Sequence, residues 1–334
     1  MTPVASRGRY AVLRQMVNRR LEAVALRKNP RDVREALQYV VSSGGKRVRS
    51  VLLLLSCQAV GGKVADAIDA AAAVELLHNF TLVHDDIMDN APTRRGKPTV
   101  HTRWGLSNGV LAGDILLAHA YESVLITKRG DLHRLLSLFT QTLLDVCEGQ
   151  GVDLFLERRR NVGVREYFTM IERKTAALFS ACARMGGIIG SGTSRQVDAL
   201  GRFGHYLGRA FQIQDDLLDV VAEERALGKL IGGDIVEGKK TFLLLKAIEK
   251  AKPGDRAALK REIARGQTRL NPRGKSERIR MVTALYKRIG VIDEAERQIQ
   301  AETQRATAAL SSLPRNEGTS MLRWVSDMLL KRAF

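Results

Sequence analysis

Proline and cysteine are both scarce in this sequence, with seven and three residues among 334. Alternation of β-branched and polar residues is nearly absent as well, so the chain offers no support for a turn-punctuated β architecture. Cys57, Cys147 and Cys182 are odd in number, widely spaced and set among helix-like apolar residues. They suggest neither a disulfide framework nor a zinc ligand set, and fit buried thiols in a reducing compartment. Long hydrophobic runs are missing too. The longest apolar block, VLLLLSCQAV at 51–60, is about half of what a membrane-spanning helix needs. The opening MTPVASRGRYAVLRQMVNRRLEAV carries basic residues without the apolar stretch of a signal peptide. A soluble, cytoplasmic protein is the expectation. Aromatic residues make up 5% of the chain, which leaves few platforms for stacking on bases.

What the chain has in abundance is positive charge and helical periodicity. A formal charge of +18 suits nucleic acid, an anionic membrane surface or phosphorylated small molecules, and its sign alone does not choose among them. Much of the excess lies in ERRR at 157–160 and in the tail from Lys252 onward, where solvated helix faces are the ordinary explanation. With 45% hydrophobic residues the chain can build a sizeable core, and its length allows one large domain or two. No repeat, low-complexity linker or compositional break licenses a boundary. One domain over 1–334 is therefore expected, with its motifs within 44–241 and C-terminal helices over 242–334.

Apolar residues recur at three- and four-residue steps in window after window, which predicts an all-α fold. Residues 66–89 predict a long helix that is apolar over most of its circumference, as in the middle of a bundle. NAPTRRGKPTVHTRWG at 90–105 predicts a loop; helices are expected at about 107–128, 131–159, 164–190 and 194–222. GKLIGGDIVEGKKT at 228–241 predicts a second glycine-rich loop before shorter amphipathic helices.

Two places interrupt the apolar pattern with acid: HDDIMDN at 84–90 and QIQDDLLDV at 212–220. Like charges this close repel and resist burial unless something positive sits between them. On a helix, positions i and i+4 share a face, so Asp85 with Asp89, and Asp215 with Asp219, each aim two carboxylates at one point. Asp86 and Asp216 point about a hundred degrees away. Oxygen donors without histidine or thiolate favour Mg²⁺, which uses a few carboxylates together with substrate phosphate oxygens. Two such helices facing each other would bracket a metal-bound phosphate. A single copy is explained as well by a chance cluster on an exposed face. Two copies, each in an apolar helix and each followed by a glycine-rich loop with lysine or arginine, argue for a site.

Cations stand where a diphosphate needs them. Arg94 and Arg95 follow the first cluster, and GGKRVR at 44–49 is expected to open a helix with Lys46 and Arg49 on one face. Guanidinium forks suit phosphate oxygens. Taken singly, each of these residues has a solvated-surface explanation. Taken together with the acidic pairs, they describe a pocket for two phosphorylated ligands.

At this point the sequence resembles the trans-type isoprenyl diphosphate synthases, a family of all-helical prenyltransferases. LLHNFTLVHDDIMDNAPTRRGKPTVH at 76–101 resembles that family's first aspartate-rich motif and FQIQDDLLDV at 211–220 its second, with Lys174 and Thr175 as a KT pair between them. The resemblance runs from GGKRVR to EGKKT. It implies the isoprenoid synthase bundle with a central cavity, in which an allylic diphosphate loses pyrophosphate and isopentenyl diphosphate attacks the cation. By resemblance, Asp85, Asp89 and Asp215 are direct Mg²⁺ ligands, and Asp86, Asp216 and Asp219 support them. Arg94, Lys174, Lys229 and Lys239 match positions that grip the allylic diphosphate. Lys46, Arg49, His78 and Arg95 match positions that bind isopentenyl diphosphate, although a lone histidine such as His78 is more often a core residue. Thr175 and Gln212 match positions whose oxygens stabilise the cation, and the departing pyrophosphate is the implied base. Ser50 and Leu230 stand where the family often has proline, which bears on loop shape and removes no ligand.

Residues one and two turns before Asp85, namely Phe80, Thr81 and Leu77, lie along the direction a growing prenyl tail must take. An aromatic residue five before the motif with a small one four before is similar to the arrangement in geranylgeranyl synthases, and DDIMD lacks the insertion seen in some farnesyl synthases. The allylic partner expected is dimethylallyl, geranyl or farnesyl diphosphate and the product geranylgeranyl diphosphate, with farnesyl or longer polyprenyl products as alternatives. Phe80 has its own plain explanation, packing at a helix interface. A class I terpene cyclase is disfavoured by the second DDxxD at 215–219, and a non-catalytic subunit of a heteromeric synthase by the intact ligand set. Nucleic acid is not an expected partner, because the acidic pairs and few aromatics speak against it. The resemblance implies a homodimer. The net charge raises peripheral contact with anionic membrane, which sedimentation with anionic liposomes tests.

Overall fold

The computed structural model describes residues 2–25, 30–159, 161–221, 232–265 and 271–331. Its helices, in chain order, are α1 (Pro3–Ala25), α2 (Arg31–Ser42), α3 (Val48–Ala59), α4 (Ile68–Met88), α5 (Val100–Trp104), α6 (Leu106–Leu125), α7 (Leu132–Arg158), α8 (Val164–Ile171), α9 (Ala177–Ile189), α10 (Ser194–Val221), α11 (Gly233–Glu237), α12 (Phe242–Lys250), α13 (Pro253–Arg265), α14 (Pro272–Ile289), α15 (Val291–Ala309) and α16 (Glu317–Lys331). The chain forms two compact units. One is drawn from Met1–Leu144, Leu178–Gly204 and Thr307–Met328, the other from Asp145–Ala177, His205–Ala306 and Leu329–Phe334.

In the first unit α4 is the inner helix. Ala70, Ala71, Ala72, Ala73, Val74 and Leu77 are all fully buried, and α1, α3 and α6 pack around them. Alanine favours the helix and, being small, lets neighbouring helices come close. A helix apolar on every side is stable only when enclosed in this way. The enclosure loosens toward the C-terminal turn, where Asp85 is half-buried and Asp89 exposed.

The second unit has its own core. Tyr167 of α8, Ile213 and Leu217 of α10, Phe242 and Leu245 of α12, Val282 and Tyr286 of α14 and Ile299 of α15 meet in it. Thr241 starts α12 by accepting the Leu244 N–H at 3.4 Å, a threonine cap at the end of the EGKKT motif. Between α8 and α9 the backbone widens into a π turn over Glu172–Ala176.

The expected helices over 107–128, 131–159 and 194–222 are present as α6, α7 and α10. The one over 164–190 is divided by the π turn into α8 and α9. The two expected loops are corrected. Within 90–105, Thr93–Arg94 pairs antiparallel with Lys97–Pro98 and α5 follows. The connecting Arg95 and Gly96 have φ of 53° and 74°, as a two-residue hairpin turn requires of both central residues. Within 228–241 lies the one-turn α11, with Gly232 at φ 76° and Gly238 at φ 71° at its ends. Glycines that cap a short helix look the same in sequence as glycines of a loop. Among the described residues no helix is long and apolar enough to cross a membrane.

Candidate active site

The first unit holds the first aspartate motif and the GGKRVR segment. Gly44, Gly45 and Arg47 have φ of 75°, 136° and 52°, so the chain turns sharply before α3 and two glycines take most of the left-handed conformation. Arg47 takes the rest, a strained state for a non-glycine residue that persists only where its surroundings enforce it. They do: its guanidinium donates to Asn18 Oδ1 at 2.9 Å, Glu75 Oε1 at 2.9 Å and the Val41 carbonyl at 2.7 Å. Ser50, in the position where proline is common, donates to the other oxygen of Glu75 at 2.8 Å. Lys46 therefore precedes the helix and Arg49 lies in its first turn, which corrects the expectation of one shared helical face. Lys46 is exposed, and its carbonyl accepts the Tyr10 hydroxyl at 2.5 Å.

Arg49 and His78 are brought together, with Arg49 Nη1 donating to His78 Nε2 at 3.2 Å. A guanidinium only donates, so Nε2 carries the lone pair and the proton sits on Nδ1. Burial, reinforced by Arg49 and then Arg95, holds the His78 pKa well below its usual value. Arg95 donates to the Gly44 carbonyl at 3.1 Å, and a side chain on Gly45 would meet its guanidinium at 3.2 Å. Arg94 donates to Asp86 Oδ1 at 2.8 Å. Asp86 thus points away from the Asp85/Asp89 face and is pinned, its pKa raised by burial against the opposing pull of Arg94. Leu77 is fully buried, Phe80 nearly so, and Thr81 half-buried. Phe80 meets His84 edge-on at 4.7 Å between ring centres.

The second unit holds the rest. Lys174 donates to Asp153 Oδ2 at 2.5 Å. The Thr175 hydroxyl donates to Gln212 Oε1 at 2.8 Å, and Gln212 Nε2 donates to Asp216 Oδ1 at 3.1 Å. Asp216 is buried and also accepts the Tyr167 hydroxyl at 2.6 Å and the Phe242 N–H at 3.1 Å. Burial pushes its pKa up to about 6 despite these donors. Asp219 accepts the Asp234 N–H at 3.0 Å, and Lys239 reaches Glu237 at 3.1 Å and Asp234 at 3.9 Å. The Asp234 carboxyl is pushed up to about 7, first by burial and then by Asp219 and Asp216. Lys229 and Leu230 lie outside the described residues.

Several contributors gave no usable sequence signal. Asp234 was visible in GGDIVEGKKT but stood alone in an expected loop. Asp153 and Tyr167 meet their partners only through the packing of α7 and α8, and Glu75 sits in the apolar run of α4. Among the described residues no three His, Cys, Asp or Glu side chains converge closely enough to hold a metal by themselves. The donor set still fits Mg²⁺: it is all carboxylate oxygen, beside cations suited to phosphate, and this ion ordinarily completes its shell with water and phosphate.

A helical chain with two carboxylate-bearing helices, each neighboured by cations suited to phosphate, has the chemistry that an enzyme handling organic diphosphates requires. The sequence model of the family "Polyprenyl synthetase" matches residues 30–279, and the chain belongs to that family. It is 36% identical over 321 residues to a short chain isoprenyl diphosphate synthase of Methanothermobacter thermautotrophicus, covering 95% of this chain and 96% of the relative. It is 33% identical to a geranylfarnesyl diphosphate synthase of Natronomonas pharaonis, with 96% of each covered. The crystal structure of geranylgeranyl pyrophosphate synthetase from Pyrococcus horikoshii superposes with a TM-score of 0.89 at 37% identity, over 97% of this chain and 98% of that one. The protein is a prenyltransferase of the trans-prenyl diphosphate synthase type, acting on isoprenoid diphosphates.

Proposed function

We propose that the protein joins isopentenyl diphosphate to an allylic diphosphate in a Mg²⁺-dependent, head-to-tail condensation, with geranylgeranyl diphosphate as its main product. The allylic carbon–oxygen bond breaks, the allylic carbon bonds to the terminal alkene carbon of isopentenyl diphosphate, and the proton then lost passes to the departing pyrophosphate. Asp85, Asp89 and Asp215 are the proposed metal ligands, and Asp86, Asp216 and Asp219 stand behind them. Mg²⁺, when bound, takes up negative charge as pyrophosphate leaves. Arg94, Lys174 and Lys239 grip the allylic diphosphate, with Lys229 assigned to the same set by sequence. Lys46, Arg49, Arg95 and neutral His78 hold isopentenyl diphosphate. The Thr175 hydroxyl, oriented through Gln212 and the buried Asp216, presents oxygen to the developing cation. Water must be kept out, because a free allylic cation is hydrolysed at once.

The observation that carries the product assignment is Phe80. It lies on α4 five residues before Asp85, nearly buried and braced by the His84 ring at 4.7 Å, and so supports the reading of a firm floor under a tail growing down that helix. The test is incubation with isopentenyl diphosphate, Mg²⁺ and each of dimethylallyl, geranyl and farnesyl diphosphates, with chain length read by mass spectrometry. Four isoprene units are expected as the main product, and Phe80→Ala should lengthen it. A five-unit product, the kind named for the Natronomonas relative, would discard the floor, and no condensation from any starter would overturn the reading.

A further inference from the structure

A fully buried carboxylate in the C-terminal part of the chain, Glu302 of α15, lies beyond the residues that the family model matches. Buried carboxylates are rare unless paired. Glu302 Oε1 accepts Arg209 Nη2 at 2.9 Å, Gln298 Nε2 at 2.8 Å and Arg305 Nη1 at 3.2 Å. Arg209, on α10, turns its other terminal nitrogen to Glu172 Oε1 at 2.9 Å and lies 4.4 Å over the Phe168 ring. Glu172 is the first residue of the π turn, and its carbonyl accepts the Ala177 N–H, so the widened loop it closes contains Lys174 and Thr175. Arg209 stands three residues before Gln212, the partner of Thr175.

A π turn is less stable than continued α-helix and tends to be kept where function needs the altered register. Relaxing to α-helix would turn each following side chain by about a hundred degrees relative to the residues before it. Glu172 is the hinge of that change, and the two-armed guanidinium ties it to α15. We propose that Arg209 is a positioning residue for the condensation, with Glu302 as its buried counter-charge. Together they hold Glu172 so that the Lys174 ammonium and the Thr175 hydroxyl meet the allylic diphosphate. The proposal rests on the reading above, in which Lys174 and Thr175 serve that substrate.

The test compares wild type, Lys174→Ala, Arg209→Met, Arg209→Lys, Glu302→Gln and the pair Glu172→Gln/Arg209→Met by steady-state kinetics below their melting temperatures. Arg209→Met is expected to lose about tenfold to a hundredfold in kcat, the scale of a small misplacement at a reacting centre. The KM for the allylic diphosphate should rise while that for isopentenyl diphosphate stays put. Arg209→Lys should rescue little, because an ammonium cannot span both carboxylates, and the double variant should be no worse than Arg209→Met. If Lys174→Ala is as active as wild type, the underlying reading of the turn fails. If Lys174→Ala is impaired while Arg209→Met and Glu302→Gln lower only the melting temperature, the positioning role is overturned; should Arg209→Met not fold, Glu302→Gln and Arg209→Lys decide it.

Discussion

His78 combines a proposed role in the site with a cost in acid. Burial and the guanidinium of Arg49 keep it neutral in the fold, whereas in the unfolded chain it takes up a proton near about pH 6.5. Its folded pKa is depressed, so its contribution to stability is intact above the unfolded value and drains away as pH falls from there toward the folded one. His205, also lowered chiefly by burial, adds in the same direction. His78→Asn should flatten the decline of stability between about pH 7 and pH 5, measured by urea denaturation at a series of pH values. An unchanged slope would mean that His78 is not held neutral. Its partner was only half legible in sequence: resemblance selected both His78 and Arg49, yet nothing in GGKRVR revealed that Arg47 would turn inward to Glu75 while Lys46 faced outward. Backbone turns with positive φ decide such directions, and periodicity does not carry them.

Among the elements, the long helices were the most legible, because α4, α6, α7 and α10 each repeat apolar residues at helical spacing over five turns or more. The π turn was invisible, since one widened turn leaves the hydrophobic pattern almost unchanged. Its second restraint, besides Arg209, comes from α7. A Cβ on Gly149 would lie 2.3 Å from the Lys174 backbone nitrogen, so α7 and the turn touch backbone to backbone and only glycine fits. Asp153, one turn further along α7, then reaches Lys174. Gly149→Ala should push the turn away and lower kcat by about tenfold or more. Gly151→Ala, in the same helix with nothing within 4 Å of the added carbon, should leave kcat unchanged. Equal kinetics for the two variants would show that the turn tolerates displacement.

For the whole molecule, exposed apolar surface bears on self-association. Leu106, Val110, Leu111 and Leu125 of α6 are each between 40% and 61% exposed, with the exposed Asp114 among them, and several large apolar side chains left in water on one helix are costly. The homodimer implied by family resemblance would cover them with the same surface of a second copy, the usual symmetric arrangement. Sedimentation should give twice the 37.0 kDa chain mass, and Leu111→Glu with Leu125→Glu should halve it. A double variant that still sediments as a dimer would place the interface elsewhere. Both aspartate motifs are proposed to serve one metal-dependent condensation. The most direct measurement is the rate of product formation against Mg²⁺ concentration for wild type, Asp85→Asn and Asp215→Asn, with and without a chelator. Chelation should abolish turnover, Mg²⁺ should restore it in wild type, and each variant should lose several orders of magnitude at saturating Mg²⁺. Turnover that survives chelation, or variants that match wild type, would rule out a metal-binding role for the two motifs.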